Sequence, residues 1–210
     1  IVSAPVGEEI CKALAVFALA GLIDSKKRGF QVGFTVGLGF ALLENLQYIL
    51  FSLFAGEVMA FSYGLTSVVR GIGSIPGHAM WTACSGYAIG SILEQRKQSS
   101  LIPDIKELNL VNPLETEISQ TSNSFSHLTK DSMFSKSSDL ELPTSLPVML
   151  SIAIFGHAFW NGSSVLMAYI SQHLDPVLGL IVELMWIVVL ITLLWTVGRF
   201  VIAAAMEETI

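Results

Sequence analysis

Long apolar stretches alternate with short polar links along the chain and predict a series of helices. The predicted helices span residues 5–23, 30–55, 58–70, 77–97, 146–171 and 176–203. Several of these stretches run for about 20 residues, enough to cross a hydrocarbon core of roughly 30 Å. They lack the alternation of a barrel strand, and backbone inside lipid must otherwise be helical. The pattern therefore predicts an all-α, polytopic membrane bundle of about six helices.

The link between the third and fourth predicted helices is rich in helix breakers. Residues 70–78 contain three glycines and one proline in nine positions, which predicts an interruption. The interruption is either a broken crossing at membrane depth or an ordinary connection outside the bilayer. The polar residues discussed below favour the broken crossing, because it brings His78 to their level.

A polar segment divides the chain into two membrane parts, 1–97 and 146–210. Of the 48 residues in 98–145, 15 are Ser or Thr, and no apolar period is sustained there. This composition predicts a flexible insert. Since the sequence begins at Ile1 without a signal-peptide pattern, we expect it to continue a longer or processed chain.

Composition and charge support a membrane protein. Hydrophobic residues make up 52% of the chain, charged residues only 13%, and the net charge is −6. A soluble domain carries about 25% charged residues, and nucleic-acid binding needs a basic surface, so both classes are excluded. The cluster Lys26-Lys27-Arg28 places loop 24–29 in the cytoplasm by the positive-inside rule. The lipid bilayer is the expected surrounding partner.

Several polar residues lie within the apolar helices, where a charge is costly and marks a candidate site. The charged ones are Glu8, Glu9, Lys12, Glu44, Arg70 and Glu183, and two histidines, His78 and His157, accompany them. Four of these residues have a polar partner four positions further on, on the same helix face. These pairs are Glu8/Lys12, Glu44/Tyr48, His78/Thr82 and His157/Asn161.

The pairs are also expected at one depth. Glu8 and Glu44 both lie roughly 21–23 Å from the basic loop at 1.5 Å per residue. Taken singly, each feature also has a structural explanation: an ion pair, interhelical hydrogen bonding, or a buried histidine. Trp81 and Trp160 are expected to pack, and Glu183, without a polar partner at helical spacing, is expected to be structural. Together, the four pairs predict one polar interior site.

The polar motifs resemble those of the PrsW family of intramembrane proteases, which is related to the CAAX prenyl endopeptidases. Ala4-Pro5 with Glu8-Glu9-x-x-Lys12 resembles the first motif, and Gly37-Leu38-Gly39-Phe40-Ala41 with Glu44-Asn45-x-x-Tyr48 the second. Arg70 followed by Gly77-His78-Ala79 and Thr82 is similar to the third, and His157-Ala158-Phe159-Trp160-Asn161 to the fourth. The resemblance spans about 5–165 and implies hydrolysis of membrane-anchored proteins or peptides.

The resemblance also implies catalytic roles. Glu8 would activate water with help from His78, while His157 and Asn161 would face the developing oxyanion. Glu9 is the next candidate base. Supporting roles or charge pairing are expected of Glu44, Asn45, Tyr48, Arg70 and Thr82. Lys12 departs from the CAAX group, which has an arginine one position further on, so Lys12 is a charge partner without a catalytic step.

The residues leave the need for a metal open. Glu8, His78 and His157 could bind zinc and keep one position open for water, although no short HExxH spacing is present. A metal-free glutamate mechanism is favoured because Glu8, Glu9 and Glu44 against Lys12 and Arg70 leave a charge of only −1. No cofactor is therefore assigned. A proton- or ion-coupled transporter and a non-catalytic scaffold of the same fold are the competing functions.

Overall fold

The structure is a computed structural model that describes residues 3–54, 59–107 and 141–206. The described residues form helices and short connections, without a strand. In chain order the α-helices are α1 (Ser3–Ala18), α2 (Lys26–Ser52), α3 (Met59–Val69), α4 (Ile75–Glu107), α5 (Leu146–Ser171) and α6 (Pro176–Met206). One 3₁₀ turn, Ala20–Leu22, follows α1. The predicted all-α class is therefore confirmed for the described residues.

The link rich in glycine and proline does not interrupt the helix, so that prediction was wrong. One turn of π-helix, Arg70–Ser74, joins α3 directly to α4. A helical proline clashes with the carbonyl four residues before it, which for Pro76 is the carbonyl of Ile72. In the wider π-turn this carbonyl is free of the helix ladder and accepts a hydrogen bond from Trp195 Nε1 at 2.9 Å. Residues 59–107 therefore form one helical run with a local irregularity.

The fourth helix ends later than predicted. Helix α4 continues to Glu107, ten residues beyond the predicted end at 97. Residues 108–140, which carry most of the predicted insert, lie outside the described residues. The chain is described again from 141, and α5 begins at Leu146.

Helices α2 and α4 are antiparallel and pack through facing small residues. A methyl group placed on Gly29 would lie 2.3 Å from the carbonyl oxygen of Gly86, and one on Gly33 would lie 2.6 Å from that of Thr82. One turn further, a methyl on Gly37 would lie 2.4 Å from the carbonyl oxygen of His78. Spacing of small residues by four allows membrane helices to approach this closely. The close approach positions Glu44 and His78 on facing helices.

The ends of the helices fall into two groups, which fixes the relative topology. At the end that carries the basic loop, Phe30 and Tyr87 share an apolar cluster with Met149 of α5 and Ala205 of α6. The backbone N–H of Lys26 also donates to the Glu94 carboxylate at 3.2 Å. We call this end the basic end. Both described flanks of the predicted insert therefore lie at the basic end, and the α5–α6 connection lies at the opposite end.

The surface is strongly apolar, as a lipid environment requires. Large apolar side chains remain exposed, for example Phe54 at 83% and Phe155 at 72%. Two of the described helices, Lys26–Ser52 and Pro176–Met206, are long and apolar enough to cross a membrane by themselves. A bundle of six crossing helices is not confirmed, since α1 has only 16 residues and α5 carries His157 and Asn161.

Candidate active site

The first polar motif lies at the centre of the bundle and joins α1 to α4. Lys12 Nζ donates to Glu9 Oε1 at 2.8 Å and contacts Nδ1 of His78 at 2.7 Å. The same ammonium group lies 3.6 Å from Glu8 Oε2 and 4.1 Å from the centre of the Phe40 ring. Glu9, Lys12 and His78 are all buried. Lys12 thus offsets two adjacent carboxylates inside a region of low dielectric.

His157 of α5 completes this cluster from the other side. Its Nδ1 lies 3.0 Å from Glu9 Oε1, within hydrogen-bond distance, and its Nε2 lies 3.8 Å from Glu8 Oε2. The imidazole stacks on Trp81, with ring centres 4.9 Å apart and planes inclined by 12°. Space for the indole exists because residue 156 is glycine, where a methyl group would lie 2.6 Å from Trp81 Nε1. The orientation of His157 is therefore fixed by both a carboxylate and a stacked ring.

The second motif contacts the third through Glu44. Glu44 Oε2 lies 2.9 Å from His78 Nε2, and Glu44 Oε1 lies 3.6 Å from the guanidinium of Arg70. Arg70 in turn stacks on Tyr48, with its Cζ 3.6 Å from the ring centre.

The π-turn explains how Arg70 and His78 reach the same carboxylate. An α-helix turns about 100° per residue, so eight residues would leave these side chains about 80° apart. A π-turn accommodates one extra residue, which reduces this difference to about 20°.

The remaining predicted residues differ in how closely they join the site. Thr82 donates to Glu9 Oε2 at 3.4 Å. The Asn45 amide donates instead to the carbonyl of Ala41 at 2.6 Å on its own helix, so Asn45 packs beside the site. Asn161 is half-buried one turn beyond His157, in the wall of a cavity. The structure thus brings together Glu8, Glu9, Lys12, Glu44, Arg70, His78 and His157.

Three of these side chains are spaced as ligands of a metal ion. One donor atom each from Glu8, His78 and His157 lies within 4.8 Å of the other two. Glu8 Oε2 and His157 Nε2 are buried without a hydrogen-bond partner, and such atoms are costly unless something pairs with them. The 2.9 Å contact between Glu44 Oε2 and His78 also lacks hydrogen-bond alignment. Two imidazoles and one carboxylate are a ligand set that zinc takes. Glu8 and His157 each offer an unpaired buried atom, whereas both ring nitrogens of His78 have a close polar contact.

A cavity of about 550 Å³ lies next to this cluster on the side away from the basic end. Four of its lining residues, Ala4, Tyr48, Ser74 and Asn161, each lie four positions from a residue of the cluster. In order, those residues are Glu8, Glu44, His78 and His157. Four residues are about one helical turn, so the cluster lies about one turn beyond these lining residues, and α3, α5 and α6 supply much of the wall.

Sequence reasoning missed two features of this region. Trp81, expected only to pack, supports the His157 ring, and the glycine at 156 was an available signal for it. Glu183, expected to be structural for want of a polar partner at helical spacing, accepts a hydrogen bond from Ser171 Oγ and lines the cavity. This partner lies twelve positions back on α5, so spacing within α6 could not indicate it.

Comparison with known proteins gives one match. A model of the family described as PrsW family intramembrane metalloprotease matches residues 1–105, half of the chain. This region contains the first three motifs, whereas His157 and Asn161 lie beyond it. No curated protein and no solved structure is similar enough to count as a match.

Proposed function

Since the chain belongs to the PrsW family of intramembrane proteases, we propose that it hydrolyses membrane-anchored proteins or peptides in a metal-dependent reaction at the Glu8, His78 and His157 cluster. The observation that carries this proposal is the approach of three donor atoms within 4.8 Å of one another, about one helical turn from residues that line a cavity. The family description as a metalloprotease supports the metal. We therefore favour zinc over the metal-free mechanism that the charge count indicates.

In this proposal Glu8, His78 and His157 hold zinc. When bound, zinc supplies a Lewis acid for the scissile carbonyl and makes a water nucleophilic at neutral pH. Glu9 has a positioning role, because its carboxylate lies 3.0 Å from Nδ1 of His157 and is itself held by Lys12. A carboxylate behind a ligating histidine fixes the ring orientation and raises its basicity.

Glu44 is the proposed general base. Of the two site carboxylates that are not proposed ligands, Glu9 is hydrogen-bonded to Lys12 and faces His157, whereas Glu44 Oε2 is buried without an aligned hydrogen bond. A base must lie within hydrogen-bond reach of the proton that it accepts, and Glu44 Oε2 is only 2.9 Å from a proposed ligand. Arg70, 3.6 Å from the other carboxylate oxygen, would hold Glu44 in place. This assignment replaces Glu8 as the base.

Asn161 is the proposed donor to the oxyanion. It lines the cavity one turn beyond His157, and its amide N–H is a group that can stabilise charge developing on a carbonyl oxygen. His157 cannot serve both as a ligand and as this donor, so Asn161 takes the role alone.

We also propose that the protein is a multi-pass membrane protein with loop 24–29 in the cytoplasm. The grouping of helix ends supports this topology, because the described flanks of the insert then lie on the same side as Lys26-Lys27-Arg28. The cavity lies away from that end and would open toward the extracytoplasmic half of the bilayer.

Hydrolysis is tested with purified full-length chain in lipid nanodiscs, zinc and a library of single-span peptides, with products identified by mass spectrometry. The proposal expects cleavage by wild type and loss of cleavage in Glu8→Gln and His157→Ala. Glu141→Gln, which changes an exposed carboxylate far from the cluster, serves as the control and should cleave normally. A zinc-loaded, folded protein that cleaves no member would contradict the proposal and favour a transporter or scaffold.

A further inference from the structure

Glu183 places a negative charge in the cavity at a distance from the proposed zinc ligands. It lies on α6, in the candidate membrane-spanning helix Pro176–Met206, and lines the cavity together with Arg70 and Asn161. Residues 176–206 lie outside the part of the chain that the family model matches. Glu183 is therefore a feature of this chain that the proposed chemistry leaves unexplained.

The charges that line the cavity are not balanced locally. Arg70 lies within ion-pair distance of Glu44 and stacks on Tyr48. For Glu183, the polar contact within the described part of the chain is the neutral hydroxyl of Ser171. No described lysine or arginine lies within ion-pair distance of it. A carboxylate inside an apolar environment is stabilised by pairing with a cation, and a molecule that enters the cavity can supply that cation.

A second polar group lines the same wall without a partner. Trp186 follows Glu183 by three positions on α6, so the two side chains share a face. Its indole Nε1 is buried and makes no hydrogen bond within the described residues, although Trp186 lines the cavity. A buried N–H without a partner costs about 1–3 kcal/mol and matches a carbonyl acceptor such as a peptide backbone offers. Both observations point to an extended peptide beside α6.

The position of Glu183 along the bundle gives its distance from the level of His157, one of the proposed zinc ligands. A methyl on Gly179 would lie 2.7 Å from the carbonyl oxygen of Ser171, so in this antiparallel pair the backbone of Glu183 lies level with Met167. Its carboxylate accepts a hydrogen bond from Ser171 and therefore lies between the levels of Met167 and Ser171. These levels are ten and fourteen residues from His157, or about 15 and 21 Å along α5. An extended peptide spans about 3.3–3.6 Å per residue, so this distance corresponds to about four to six residues.

We propose that Glu183 is a specificity-determining residue that selects substrates with a lysine or arginine about four to six residues from the cleaved bond. This inference rests on the proposed hydrolysis at Glu8, His78 and His157. The substrate's cation pairs with the Glu183 carboxylate, and its backbone accepts a hydrogen bond from Trp186 Nε1. The cation lies on the side of the cleaved bond that faces away from the basic end.

The test uses single-span peptides in which one lysine is moved through consecutive positions, with a matched series that has glutamine instead. Wild type in nanodiscs should cut the lysine peptides with a kcat/KM at least tenfold higher than the glutamine peptides. The cut should move with the lysine at a constant separation, which lies within about four to six residues. Glu183→Gln retains an acceptor for Ser171 and should abolish the difference between the series, whereas Glu141→Gln should keep it. Glu183→Lys should prefer a third series that carries glutamate.

Each outcome decides the proposal. Cleavage that is independent of lysine, or lysine dependence that persists in Glu183→Gln, would overturn the role of Glu183 and leave the proposed hydrolysis intact. If wild type cuts no peptide, equilibrium binding of the same series decides instead. Lysine-dependent binding that Glu183→Gln removes would support Glu183 although hydrolysis fails. Equal binding of the lysine and glutamine peptides would refute the proposed role of Glu183.

Discussion

Glu9 Oε1 and His157 Nδ1 lie 3.0 Å apart although the two residues are separated by 148 positions in the chain. This contact joins the first motif, inside the region that the family model matches, to the fourth motif, outside that region. It also leaves Nε2 of His157 buried and without a hydrogen-bond partner, 3.8 Å from Glu8 Oε2. The proposed metal site depends on this orientation of the ring.

The first prediction concerns Glu9 as a positioning residue. Glu9→Gln keeps the volume of the side chain but removes the charge that supports His157 and pairs with Lys12. Loss of such a partner typically lowers metal affinity by 10–100-fold, and we expect a weakening of this size in zinc competition with a chelator of known affinity. Glu141→Gln is the control. An unchanged zinc affinity in folded Glu9→Gln would show that Glu9 does not support a ligand.

The second prediction separates the base from the ligands. Glu44→Gln should reduce kcat by about 10²–10⁴-fold, the usual contribution of a general base, while the zinc content stays at the wild-type level. Glu8→Gln should lower both kcat and the zinc content, because Glu8 is a proposed ligand. Parallel elemental analysis and peptide cleavage distinguish the two variants. Cleavage at the wild-type rate by Glu44→Gln would move the base to another carboxylate.

The third prediction tests the close packing of α2 on α4. A methyl on Gly33 would lie 2.6 Å from a backbone oxygen of Thr82, so Gly33→Ala has to push the helices apart. Overpacking of this kind costs about 1–3 kcal/mol, and we expect a lower melting temperature in detergent. Gly39→Ala, on the same helix with nothing within 4 Å of its added methyl, is the matched control. Equal melting temperatures for both variants would contradict the glycine contact.

The fourth prediction is the sidedness of the chain. Asp24, Glu141 and His173 are exposed, and each is replaced by cysteine in turn after Cys11 and Cys84 have been replaced by alanine. Membrane-impermeant reagent added to oriented vesicles should label positions 24 and 141 from the cytoplasmic face and position 173 from the other. Labelling of 24 and 141 from different faces would exclude the proposed topology.

The sequence predicted the convergence of the polar residues better than it predicted the connections. Polar residues in an apolar helix are costly, so their positions and fourfold spacing carried a strong signal for Glu8, Glu44, His78 and His157. The family resemblance based on these residues is confirmed by the match over residues 1–105. The catalytic and ligand roles of the individual residues stay predictions.

Connections and partners from other helices were harder to predict. Pro76 and its glycine neighbours favour a break locally, but a tertiary contact from Trp195, more than 100 positions away, satisfies the carbonyl that the π-turn frees. The Glu183–Ser171 pair and the contacts of Gly29, Gly33 and Gly37 with α4 likewise depend on which helices are neighbours. Periodicity within one helix does not contain that information.

The metal content of active protein tests the central claim most directly. Wild type purified from zinc-containing medium should carry about one zinc per chain by elemental analysis, as expected for a single site with three protein ligands. A strong chelator should remove the metal and the peptide cleavage together, zinc should restore both, and His78→Ala and His157→Ala should bind little zinc. Full cleavage by chain that contains no metal would contradict the proposed metal site and restore the metal-free glutamate mechanism.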